Sequence, residues 1–198
     1  MFKWQKPVQD PEVAQRIPPG QVLTEKFPVL HFGRVPDYPD LARWDFRVFG
    51  DVAQPFTLNW GEFRQLPTAR VTLDIHCVTR WSKFDTRWAG VSIDTLLDGV
   101  ETAAEYVVAE CDGGYTTNLP LEDVTGGRAW VVDTYEDEPL APEHGGPARL
   151  LVPHLYFWKS AKWVRGLRLT LVDEPGFWET FGYHNYGDPW REQRYQGD

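Results

Sequence analysis

Bulky residues recur at about every second position from Trp44 to Phe49, Gly50-Asp51 supplies a turn, and Phe56-Thr57-Leu58 resumes the pattern, which predicts a β-hairpin. Asn59 followed by Glu62 matches a variant capping box, so a short helix from Trp60 to Leu66 is expected before Pro67. From Arg70 to Val78 the alternation is clean. Val71, Leu73, Ile75 and Cys77 point one way and Thr72, Asp74 and His76 the other, so Cys77 ends a half-buried strand on its apolar face. Ser92 can cap a helix through Ile93, Leu96 and Leu97 to Gly99. Strands are predicted at Tyr106 to Ala109, Ala129 to Thr134, Arg149 to Val152 and Val164 to Val172, with a second short helix near Leu121 and Pro and Gly clusters between. The sum is an α+β domain dominated by strands.

The flanks have a different texture. Residues 1–26 are rich in Pro, Gln and charge without periodicity and read as an extended arm; residues 27–174 form the domain; residues 175–198 are an aromatic tail expected to pack over the core. At 198 residues and 42% hydrophobic content one domain can bury a full core without disulfide or metal staples. The formal charge of -9 argues against nucleic acid as the main partner, because polyanions need clustered Lys and Arg. No stretch has the length and apolarity of a membrane span or a secretory signal, so a cytoplasmic protein with Cys77 and Cys111 as free thiols is expected.

Cys77 stands just before Thr79-Arg80-Trp81-Ser82-Lys83, and two cations beside a thiol would favour the thiolate needed for nucleophilic attack or metal ligation. An arbitrary cysteine is more often a small buried hydrophobe. A closed zinc site fails on count, since the two cysteines are not paired as C-x-x-C, and adjacent His76 would face away from a Cys77 nucleophile. The Gly-rich turn His144-Gly145-Gly146-Pro147-Ala148-Arg149, taken with Ser160-Ala161-Lys162-Trp163, gathers donors and cations suited to one phosphate.

Together with Leu30-His31-Phe32-Gly33, Trp88-Ala89-Gly90-Val91 and the stretch from Tyr115 to Leu121, these motifs resemble, in order and interval, the molybdopterin-binding domain of the sulfite oxidase family, including its bacterial sulfoxide-reductase-like branch. The resemblance implies that family's fold of mixed sheets and short helices, and a molybdenum-molybdopterin cofactor with Cys77 as the protein's metal ligand. It implies phosphate contacts from His144, Arg149 and Lys162 with the backbone of Ser160 and Ala161. It places His31 along the cofactor tunnel, Cys111 near the cofactor, Tyr115 as an active-site tyrosine and Arg80 as a substrate-binding arginine. The haem domain, the twin-arginine signal and the immunoglobulin-like dimerisation domain of other members are not represented here. The expected activity is oxygen-atom transfer on a small substrate, sulfite or a sulfoxide, with electrons exchanged with a separate redox protein; oligomeric state is not legible. Two rivals remain open: a Trp-rich, carbohydrate-type binding module, suggested by ten tryptophans, and a hydrolase or transferase built on Cys77.

Overall fold

A computed structural model describes residues 11–198, so the first ten residues of the expected arm lie outside the described chain. The order is α1 (Pro11–Arg16), β1 (Val22–Leu23), β2 (Asp45–Gly50), β3 (Phe56–Asn59), α2 (Trp60–Gln65), β4 (Thr68–His76), β5 (Trp81–Ser92) and α3 (Ile93–Leu96). It continues with β6 (Tyr106–Cys111), β7 (Thr116–Pro120), β8 (Trp130–Tyr135), β9 (Glu138–Pro139), β10 (Arg149–Leu151), β11 (Val164–Thr170) and α4 (Phe177–Thr180). Strands dominate, and every helix is short.

In the first sheet β4 runs antiparallel along β5, from Thr68 opposite Val91 to His76 opposite Ser82, and β8 pairs with the far half of β5. β10 and β9 add to β8, while β1 adds in parallel at the start of β5. The second sheet has the order β3-β2-β11-β6-β7, antiparallel apart from the parallel β2–β11 pair. One core cluster lies between the sheets: Phe46, Val48, Val107, Leu167 and Leu169 of the second meet Val91, Val131 and Leu150 of the first. A second cluster covers the other face of the first sheet and holds Ile75, Cys77, Trp88, Val132, Leu151 and Phe157. β8 and β10 therefore bury both faces, which explains their continuous apolar runs. Gly90 sits where β5 shifts register against β8; an added Cβ there would lie 2.2 Å from the Val131 carbonyl oxygen, so only glycine permits the approach.

Local signals held where the causes are local. The Asn59 side chain accepts from Glu62 N–H while the Glu62 carboxylate accepts from Asn59 N–H, a reciprocal capping box. Ser92 Oγ accepts from Thr95 N–H at the start of α3, although that helix stops at Leu96 rather than reaching Gly99. Near Leu121 the expected helix is a single 3-10 turn, Leu121–Asp123.

The 12-residue β5 has no counterpart among the expected strands. Its hydropathy pattern is inverted at its start, because the fully buried positions Ser82 and Thr86 are polar and satisfied by His76 and the Leu73 carbonyl. The arm also carries more structure than expected: Arg16 on α1 bonds Asp74 and Asp85, and β1 joins the first sheet.

Candidate active site

The loop joining β4 to β5 presents Cys77. Cys77 N–H donates to the Trp81 carbonyl at 2.8 Å and Arg80 N–H to the Cys77 carbonyl at 3.0 Å, with Arg80 taking a positive φ of 73° to close the turn. The sulfur lies 3.1 Å from Thr79 Oγ1. Two side chains from distant segments grip the same loop: Gln21 Nε2 donates to the Cys77 carbonyl at 2.9 Å, and Arg194 Nη1 to the Val78 carbonyl at 2.7 Å.

Cys77 is 8% exposed. Burial pushes its thiol up, opposed by the Thr79 hydrogen bonds and then by Arg149 and Arg194. The cations expected beside it are elsewhere. Lys83 Nζ donates to the Glu25 carbonyl, and the exposed Arg80 places its guanidinium beside Gly20. His76 is committed to Ser82 Oγ at 2.8 Å, and burial lowers it to about 4, so it stays neutral and turned to Ser82.

The Gly-rich turn and the segment 159–163 are bound to each other. Arg149, 1% exposed, donates to the His144 carbonyl at 2.7 Å and the Ser160 carbonyl at 2.5 Å. Lys162 Nζ donates to the Glu143 carbonyl at 2.5 Å, Trp163 Nε1 to the Pro142 carbonyl, and Val152 N–H to Ser160 Oγ. Gly145 has φ 112°, and an added Cβ would meet both Lys162 and Arg149 at about 3 Å. Burial lowers Arg149 to about 9, and burial followed by Arg149 lowers Lys162 to about 7. Neither cation has a carboxylate partner among the described residues; their bonds go only to carbonyls. Two desolvated cations without an anion form a site that an anion would stabilise.

Both loops face one cavity of about 550 Å³. Cys77, Thr79 and Trp81 line it from one side of the sequence, Arg149, Ser160, Ala161 and Lys162 from the other, and His31 and Tyr115 contribute as well. Phe27, Trp81, Phe157, Trp158, Trp163 and Trp178 supply flat apolar wall. Three residues expected at the site are not among its lining. His144 stacks on Phe27 at 3.9 Å and 9° and is kept neutral by burial. Cys111 is packed against the inter-sheet core, where burial pushes its thiol well up. Arg80 faces the arm, as described. Tyr115 lines the cavity but gives its hydroxyl to the Trp158 carbonyl at 2.7 Å.

The profile of the family described as "oxidoreductase molybdopterin binding domain" matches residues 32–178. The chain belongs to that family. A Bacillus subtilis (strain 168) protein named as the uncharacterized oxidoreductase YuiH is 46% identical over 92% of this chain and 93% of its own. A putative protein-methionine-sulfoxide reductase subunit, YedZ1, of Azospira oryzae is 27% identical over 90% of this chain and 69% of its own. Among solved structures, the sulfane dehydrogenase SoxCD of Paracoccus pantotrophus superposes with a TM-score of 0.61 at 20% identity; the match covers 68% of this chain but only 40% of that one. That likeness establishes the fold.

The chain is thus a molybdopterin-binding oxidoreductase domain, and its residues fit the cofactor on their own chemistry. Buried Arg149 and half-buried Lys162 lack a counter-anion among the described residues, aromatic faces suit a flat heterocycle, and a single thiol suits a soft metal. Among the described residues no group of three or more His, Cys, Asp or Glu is placed to hold a metal.

Several cavity residues escaped the sequence. Trp178 and Tyr183 belong to the tail, for which packing over the core was expected ahead of a place in a site wall, and they line the cavity, with rings stacked at 5.0 Å. The tail is fixed by Glu179, which pairs with fully buried Lys159 at 2.6 Å and accepts from Trp158 Nε1. A Glu amid aromatic residues was the one available hint. For Gln21 and Arg194 the sequence carries none.

Proposed function

We propose that this chain is a molybdenum-cofactor-dependent oxidoreductase that transfers an oxygen atom on a small neutral substrate of sulfoxide type, exchanging electrons with a separate redox protein. The observation that carries the cofactor assignment is the pair of buried Arg149 and half-buried Lys162, without a carboxylate partner among the described residues and facing the same cavity as Cys77. When bound, the cofactor supplies two-electron oxygen-atom exchange; everything else falls to the chain. Cys77 serves as the thiolate ligand. Arg149 and Lys162, with the backbone of Ser160 and Ala161, hold the phosphate, and His31 stands at the cavity wall against Trp163. His144, neutral and stacked on Phe27, supports the turn from behind, and Cys111 packs the core.

Neutral substrate is favoured over sulfite by the position of Arg80, the cation expected to bind an anionic substrate, which is turned to the arm. The printed name of the Azospira relative, a sulfoxide reductase subunit, points the same way and supports a separate electron carrier. Both cysteines are free thiols, which suits a cytoplasmic setting; no helix among the described residues is long and apolar enough to cross a membrane.

The rival readings lack a site. Trp44, Trp88 and Trp130 are buried rather than displayed as a flat sugar platform, and His76 is turned to Ser82 rather than to the Cys77 sulfur. The test is elemental analysis of protein from a cofactor-making host, followed by turnover with a neutral sulfoxide and with sulfite. Near-stoichiometric molybdenum and preference for the sulfoxide are expected; absence of molybdenum refutes the cofactor assignment, and preference for sulfite refutes the substrate.

A further inference from the structure

Gln21 and Arg194 lie outside the family-matched segment, one before and one after it. They meet at the loop that carries Cys77. Arg194 is 4% exposed, and besides its 2.7 Å bond to the Val78 carbonyl it donates to the Pro19 carbonyl at 3.3 Å, so one guanidinium ties the tail, the arm and the loop together. Its plane is backed by the Tyr156 ring at 4.8 Å, and Glu192 stands 3.8 Å away. Gln21 holds the preceding carbonyl, that of Cys77, and the next residue, Val22, bonds the Arg80 carbonyl at 2.9 Å.

A tight turn has few internal bonds, so its path is set by whatever holds its outward carbonyls. Here those donors are supplied by the two ends of the chain. We propose that Arg194, assisted by Gln21, is a positioning residue that fixes the Cys77–Arg80 loop so that the sulfur faces the cavity. The guanidinium also brings a positive charge near that sulfur, where hydrogen bonds and charges around a ligand tune the metal it holds. The assignment rests on Cys77 being the metal ligand, and the experiment separates the two.

The full-length protein is purified from a cofactor-making host with Arg194→Met, Arg194→Lys, Gln21→Leu, Cys77→Ser and, as control, Arg168→Met. Arg168 pairs with Glu110 and Glu174 on the second sheet, away from the loop. Three quantities are measured: amide exchange at Cys77 and Arg80, the thiolate-to-molybdenum absorption, and the midpoint potential of the bound metal. Arg194→Met is expected to speed exchange at both amides at least tenfold, shift the absorption and lower the potential, because a cation that favours the more reduced centre is gone. Arg194→Lys keeps the charge with a less suitable donor and should recover most of the potential but only part of the protection. Should Arg194→Met not fold, Gln21→Leu is expected to speed exchange with the potential unmoved, since no charge is lost. Parent-like exchange in Arg194→Met, or in both Arg194→Lys and Gln21→Leu, overturns the proposal, as does an Arg168→Met variant that moves the absorption equally. If Cys77→Ser retains the absorption, the ligand assignment fails instead, while the exchange data still decide the clamp.

Discussion

The two loops that meet on the cavity are held by opposite means. The turn at 144–149 and the segment 159–163 brace each other: Arg149 bridges the carbonyls of His144 and Ser160, Lys162 bonds that of Glu143, and backbone bonds from Leu150 and Val164 close the frame. The loop at 77–80 has little of its own and borrows Gln21 from the arm and Arg194 from the tail. The first pair is thus built within the family-matched segment, whereas the loop of Cys77 depends on the segments that flank it. On the roles proposed above, damage at Arg149 or Lys162 should first change how much cofactor is bound, and damage at Gln21 or Arg194 the path of the Cys77 loop.

The largest expected effect is that of Cys77→Ser, which should reduce turnover below detection and remove the thiolate absorption while the melting temperature stays within a few degrees of the parent, because two apolar clusters rather than the metal supply the stability. Arg149→Ala comes next. It orphans one buried and one half-buried carbonyl, at about 1–3 kcal/mol each, and should lower both the melting temperature and the cofactor content at purification; a parent-like cofactor content there would erase the distinction between the two loops.

A pH series sharpens the same contrast. Lys162, lowered to about 7, carries its charge fully only below that value, so cofactor-free protein should bind sulfate more weakly as pH rises through 7, by up to about tenfold per unit. Unfolded chains keep that lysine protonated up to its ordinary range near 10.5. Between the two values the unfolded state binds more protons, so the stability of cofactor-free protein should rise with pH across that window. Lys162→Met should flatten both trends, as read by calorimetry and thermal melts.

Smaller still is Tyr115→Phe. With its hydroxyl given to the Trp158 carbonyl, the loss should be about 1 kcal/mol of stability and less than tenfold in turnover. Arg80→Ala should leave the ratio of sulfite to sulfoxide turnover unchanged, and a selective loss of sulfite activity would return Arg80 to the substrate pocket.

The sequence by itself determined what short-range causes determine. The capping box at Asn59 and Glu62, the Ser92 cap, the alternation leading to Cys77 and the Gly-rich turn were legible because each is written in neighbouring residues, and the spacing of the motifs carried the family and the cofactor. Tertiary structure decided the rest. β5 was hidden because its buried face is polar where Ser82 and Thr86 bond across to β4, a pairing that no single-strand pattern displays. Arg80 and Lys83 are adjacent to Cys77 in sequence but turned from it by a hairpin, whereas Arg149 and Arg194, remote in sequence, supply the charge that reaches the sulfur. The arm and tail looked accessory because hydrogen bonds such as Gln21 to Cys77 and Arg194 to Val78 join positions 56 and 116 residues apart. Contacts of that range leave no periodicity, and they come into being only when the arm and the tail meet at the loop between β4 and β5.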